Sequence, residues 1–229
     1  MNEENVKNKY IPYGKQNVTE EDIDSVVKVL KSDFLTQGDE VPNFERAILK
    51  KVNSRFAVAV NSATSALHIA CLALGLSKGD IVWTSPITFV ASANCGRFCG
   101  AEIDFVDIDL STALMSIPLL KKKLVEAKLT NKLPKILIVV HLTGASCDME
   151  EIAKLSKEYN FSVIEDASHA LGGKYRKSFV GSCKYSDVTV FSFHPVKIIT
   201  TGEGGIATTN NFNLYKKMTE FRSHGIVRD

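Results

Sequence analysis

Short apolar runs alternate with helical patterns along most of this chain, and that alternation constrains the fold more than any other feature. Residues 135–141 read Lys-Ile-Leu-Ile-Val-Val-His, a nearly continuous apolar run of strand length. A strand that is apolar on both faces must be covered on both faces. Similar runs recur at 56–60, 80–84, 102–107 and 161–165, separated by helical patterns at 66–74, 89–100, 117–127 and 149–159. Upstream, Thr19 followed by Glu20, Glu21 and Asp22 opens a helix that Ile23, Val26, Val27 and Leu30 continue. A second helix spans 43–52, and a last one 212–221. Strands at 186–193 and 205–209 form a hairpin-like pair around Lys197. The expected fold is α/β: right-handed βαβ units in a three-layer αβα arrangement with a mostly parallel sheet.

The composition supports a core and excludes some partners. Of 229 residues, 45% are hydrophobic and 24% charged, so the chain is not disordered in bulk. A net charge of +2 gives no reason to invoke nucleic acid. The Lys121-Lys122-Lys123 run reads as the wet face of a helix. Five cysteines, an odd number without a CxxC pair, read as free thiols in a reducing compartment, with no metal site. Residues 1–10 are polar without an apolar leader segment, and no stretch reaches membrane-span length. A soluble, cytoplasmic protein without membrane or nucleic-acid partners is expected.

The residues that carry chemistry sit at strand ends. Lys197 lies in an apolar, hydroxyl and glycine frame from Phe191 to Gly205. Burial there lowers an amine's pKa toward the nucleophilic form that a Schiff-base lysine needs. Glu165 and Asp166 end an apolar strand. An acid at a strand end with a later lysine points to pyridoxal 5'-phosphate (PLP): the acid keeps the pyridine nitrogen protonated and the lysine binds the aldehyde. Ser62-Ala63-Thr64-Ser65 begins a helix and reads as either a phosphate site or a plain N-cap. Phe89, after a strand, reads as a ring-stacking aromatic or as core. Ser192 is a further phosphate donor, and His169 a partner for Asp166 or the cofactor's ring hydroxyl. His141 is ambiguous in the same way. The glycines at 202, 204 and 205 form no GxGxxG fingerprint, which excludes a nicotinamide site.

These segments resemble the fold-type I PLP enzymes, and within them the nucleotide-sugar aminotransferases of the DegT–StrS group. The resemblance runs from Ile11-Pro12-Tyr13 through Leu35-Thr36-Gln37-Gly38, Asn61 to Leu67, Thr88-Phe89, Val106 to Asp109 and His141-Leu142-Thr143-Gly144. It continues through Glu165 to Ala170, Phe191 to Lys197 and Arg222-Ser223-His224-Gly225. It implies an aspartate aminotransferase-like large domain. Lys197 would be the Schiff-base lysine and proton shuttle, and Asp166 the ring-nitrogen acid. Phe89 would stack, and Ser62, Ala63, Thr64, Ser65 and Ser192 would hold phosphate and cofactor. His169 stands where many relatives have glutamine. With the Pro-Val-Lys-Ile-Ile-Thr-Thr wording, it resembles enzymes that aminate carbon 4 of a UDP-linked 4-keto-6-deoxy amino sugar for pseudaminic acid. Glutamate is the implied donor and a homodimer the implied assembly. Asp39 and Leu110 stand where relatives often have proline. The implied domain plan is an arm at 1–17 and a PLP-binding large domain at 18–229, with the family's C-terminal small domain missing. Lys197 argues against the related sugar dehydratases, which carry histidine there. A catalytically impaired or regulatory PLP-binding homologue is the alternative.

Overall fold

The computed structural model describes residue 12 and residues 14–226. Most of the expected arm, with Ile11 and Tyr13 of the first motif, lies outside the described residues. Helix α1 (Glu20–Leu30) starts at a capping box in which Thr19 and Asp22 satisfy each other's backbone N–H groups. Helix α2 (Glu40–Val52) begins earlier than its apolar pattern, because Pro42 is tolerated in a first turn that lacks N–H acceptors anyway. The chain continues through β1 (Phe56–Val60), α3 (Ala63–Ala73), β2 (Ile81–Thr84), α4 (Ala91–Phe98), β3 (Glu102–Phe105) and α5 (Ile117–Leu129). Then come β4 (Ile136–Val140), α6 (Met149–Tyr159), β5 (Ser162–Asp166), β6 (Lys174–Tyr175), β7 (Ser178–Phe179), β8 (Val188–Ser192), β9 (Gly205–Thr209) and α7 (Phe212–Arg222).

The main sheet has the order β1-β9-β8-β5-β4-β2-β3. β9 alone runs against both neighbours, so the others all point one way. The β8–β9 pair is the expected hairpin around the lysine segment. Period-two alternation splits the strands' side chains between two faces. Val82, Ile136, Ile138, Ile164 and Val190 pack under α3, α4 and α7. Trp83, Leu137, Val139 and Val163 pack under α5 and α6. Phe191, Phe193 and Ile206 meet α2. The result is the expected three-layer αβα fold.

Two boundary shifts bear on the site. β5 extends one residue past the expected strand, so Asp166 sits in the ladder opposite Val140 and Val190. Helix α4 starts at Ala91, which leaves Phe89 in the loop before it. The β6–β7 hairpin was not anticipated; its strands are too short to show a period. All five cysteines are free thiols, with Cys99 the least buried. Helix α1 has no buried residue: Ile23, Val26 and Leu30 are 45%, 60% and 63% exposed, so its apolar stripe faces solvent in the isolated chain. Among the described residues no helix is long and apolar enough to cross a membrane.

Candidate active site

Because the strands are parallel, their carboxyl ends gather along one sheet edge, where open α/β sheets place ligands. β4 ends there at Val140, β5 at Asp166, β8 at Ser192, and β1 leads there into Ser62. A cavity of about 390 Å³ lies at this edge. It brings together Ser62, Ala63, Thr64, Phe89, Asp166, His169, Ser192 and Lys197. A wider groove of about 740 Å³ runs past Glu45 and Arg222 but contains none of these side chains.

Lys197 Nζ lies 2.8 Å from His169 Nε2. Burial lowers the Lys197 pKa, and the negative charge of Asp166 partly opposes this. The surrounding frame is not a core segment. It is a surface loop folded back on itself through Lys197 N–H to His194 O and Thr201 N–H to Phe193 O. Val196, Ile198 and Ile199 are exposed and the lysine is only half-buried, which corrects the expectation that the apolar frame encloses it.

Asp166 is buried and doubly held. Ser92 Oγ donates to Oδ2 at 2.7 Å, and Ser168 donates to Oδ1 through Oγ at 2.6 Å and through N–H at 3.2 Å. Ser92 also meets Thr88 Oγ1 at 2.8 Å. Sequence reasoning missed Ser92 and Ser168. Ser168 stands two residues beyond the acid, the spacing of a side-chain-to-backbone turn, and was legible. Ser92 comes from another βα unit and was not.

His169 does not pair with Asp166, the protein partner expected for it. Its Nε2 faces Lys197, and Thr143 N–H donates to its Nδ1 at 3.3 Å. Burial, then the lysine charge, lower its pKa, while Asp166 opposes them. The neighbouring carboxylate, Glu165, points the other way into the fold. It accepts from His141 Nε2 at 2.7 Å, from Thr189 Oγ1 at 2.9 Å and from Ser186 Oγ. Burial pushes the Glu165 pKa up, but these donors outweigh it and leave it lowered. The adjacent acids thus divide the work: Asp166 faces the cavity and Glu165 anchors the strand end beneath it.

Ser62 is the N-cap of α3 and accepts from Ser65 N–H at 3.1 Å. The N–H groups of Ala63 and Thr64 have no acceptor among the described residues, so this helix start is capped and still offers donors. Ser65 differs from expectation in its placement. Its hydroxyl donates to Asn61 Oδ1 at 2.6 Å and it is not among the residues lining the cavity. Phe89 is 73% exposed at the cavity mouth, which rules out the core reading of that residue. Gly205 is required: a Cβ there would overlap the Ser62 and Ala63 backbone.

An amine, a buried carboxylate and a helix N-terminus face one cavity at the carboxyl edge of an αβα sheet. This is the fold and site layout of the PLP-dependent transferases. Residues 16–229 match the DegT/DnrJ/EryC1/StrS aminotransferase family, and the chain belongs to it. It is 44% identical over 220 residues to the UDP-4-amino-4,6-dideoxy-N-acetyl-beta-L-altrosamine transaminase of Campylobacter jejuni, covering 95% of this chain and 56% of that protein. Among solved structures it is similar to Helicobacter pylori PseC, an aminotransferase of pseudoaminic acid biosynthesis. The TM-score is 0.88 and the identity 35%, over 96% of this chain and 58% of that one. It is also similar to Spr1654 of Streptococcus pneumoniae in its PLP form, with TM-score 0.83 and 30% identity over 94% of this chain and 58% of that one. The chain spans about half the length of the curated relatives it matches.

Proposed function

We propose that this chain carries the PLP site of a sugar aminotransferase that moves an amino group from glutamate to carbon 4 of a UDP-linked 4-keto-6-deoxy amino sugar. One observation carries the reading: Lys197 and Asp166 line one cavity above the open N–H groups of α3. The donor set fits PLP, with an acid for a ring nitrogen, an amine for an aldehyde and helix donors for a phosphate. When bound, PLP supplies the electron sink for amino transfer.

This chain's own residues do the rest. Asp166, fixed by Ser92 and Ser168, holds a proton on the ring nitrogen. Ala63 and Thr64 N–H, with the Ser62 and Ser192 hydroxyls, bind the phosphate end. Phe89, which lines the cavity, would cover the ring face. Lys197, its pKa lowered by burial, moves protons at the substrate carbon. The reading places the PLP-binding large domain over the described residues, and the protein in the cytoplasm as a homodimer. The exposed stripe of α1 and the exposed Phe34 and Leu35 support association with a second copy.

An absorbance titration tests the reading: PLP should give a new band, and glutamate should then convert it. A band that forms but does not respond to glutamate favours the second reading, a PLP-binding homologue with impaired turnover. The half-exposed lysine loop gives that reading its support.

A further inference from the structure

Thr143 adopts φ 57° and ψ 11°, a left-handed conformation that is a strained outlier for a β-branched residue. Such strain concentrates at functional positions. Here it aims one group. The turn Leu142–Gly144 turns the Thr143 N–H toward His169 Nδ1 at 3.3 Å. Gly144, at φ +94°, lets the turn press on the His169 segment, since a Cβ there would lie 2.8 Å from His169 O. The turn is anchored from below. His141 N–H donates to Asp166 O at 3.0 Å, Gly144 N–H donates to His141 O at 3.1 Å, and the His141 ring is tied to Glu165.

The proton inventory then follows. A ring nitrogen that accepts an N–H carries no proton, so His169 is held neutral with its proton on Nε2. That nitrogen lies 2.8 Å from Lys197 Nζ. An Nε2–H donor needs an acceptor, and Lys197 is an acceptor only as the uncharged amine. We infer that the Thr143 N–H, aimed by its left-handed turn, locks the His169 tautomer so that His169 donates to Lys197 and keeps it a free amine before any cofactor is bound. The inference rests on the reading of Lys197 as the cofactor lysine. In this role His169 and Thr143 are positioning residues acting through Lys197. The lowered pKa values of both side chains agree with it. The other titratable groups around the cavity are Asp166, which favours the ammonium, the exposed His194 and Glu203, 3.9 Å apart, and the buried His141, whose pKa burial lowers but whose Cys147 and Glu165 partners raise it to about 10.

The test uses the chain without added PLP. Nitrogen-15 correlation spectra that distinguish the two ring nitrogens of histidine, assigned with His169→Gln, report the tautomer directly. Competitive acetylation read by mass spectrometry gives the Lys197 titration midpoint against exposed lysines in the same sample. Protonated Nε2 with bare Nδ1 at neutral pH, and a Lys197 midpoint below that of Lys128, are expected. Thr143→Gly keeps the N–H, relaxes the strain and should preserve both. A proton on Nδ1, an imidazolium at neutral pH, or a Lys197 midpoint equal to that of the exposed lysines overturns the inference. Adding PLP in a separate arm tests only the underlying reading: if no covalent band forms while the tautomer holds, the reading fails and the proton inventory stands.

Discussion

Replacing Asp166 with asparagine isolates charge from shape. The asparagine carbonyl still accepts from Ser168, and Ser92 is free to turn its hydroxyl toward Thr88 and accept from the new amide. One rearranged hydrogen bond costs on the order of 1 kcal/mol, so the fold survives. The lost charge matters more. A neutral amide does not hold a proton on a pyridine nitrogen, and a lost charge-stabilising group lowers turnover roughly 10²-fold or more, about 2.7 kcal/mol. A second effect has a definite sign. The Asp166 charge opposes the lowering of both the Lys197 and His169 pKa values, so both should move further down in the variant. Thermal melts, steady-state amino transfer and the Lys197 acetylation profile read the three effects separately. Turnover near wild type, or a Lys197 midpoint that rises, would refute this account of Asp166.

Gly205→Ala forces β9 away from the start of α3; overpacking of this kind costs about 1–3 kcal/mol, so a lower melting temperature and weaker PLP binding should appear together. Glu165→Gln breaks a buried pair, and removing one partner of such a pair costs about 3–5 kcal/mol, visible in urea titration. Because the folded-state pKa of Glu165 is lowered, its contribution is present above the ordinary value of 4.5 and is lost as pH falls through the lowered one. The wild type should therefore lose stability below about pH 4 faster than Glu165→Gln does, and parallel acid profiles would contradict the assignment.

The layered fold was legible because the central strands bury both faces: the run at 136–140 has no polar interruption and is buried throughout, whereas the edge strand β3 is largely exposed. The lysine, the acid and the helix start were legible because each stands at the end of an apolar run. Burial around Lys197 was not. Val196, Ile198 and Ile199 read as core residues by type, yet they lie on a loop that leaves the sheet edge. One partner of Asp166 and one of His169 were hidden for a topological reason. Ser92 and Thr143 come from distant βα units, and only the parallel order of β2, β4 and β5 brings those loops side by side. No local pattern encodes that crossing.

The central claim is that Lys197 is the residue that bonds the cofactor. Incubating the chain with PLP, reducing with borohydride and mapping the modified peptide by mass spectrometry tests it most directly. The account predicts a stable pyridoxyl adduct on Lys197, absent in Lys197→Ala although that variant remains folded. An adduct on another lysine, or the same yield in the alanine variant, would contradict it.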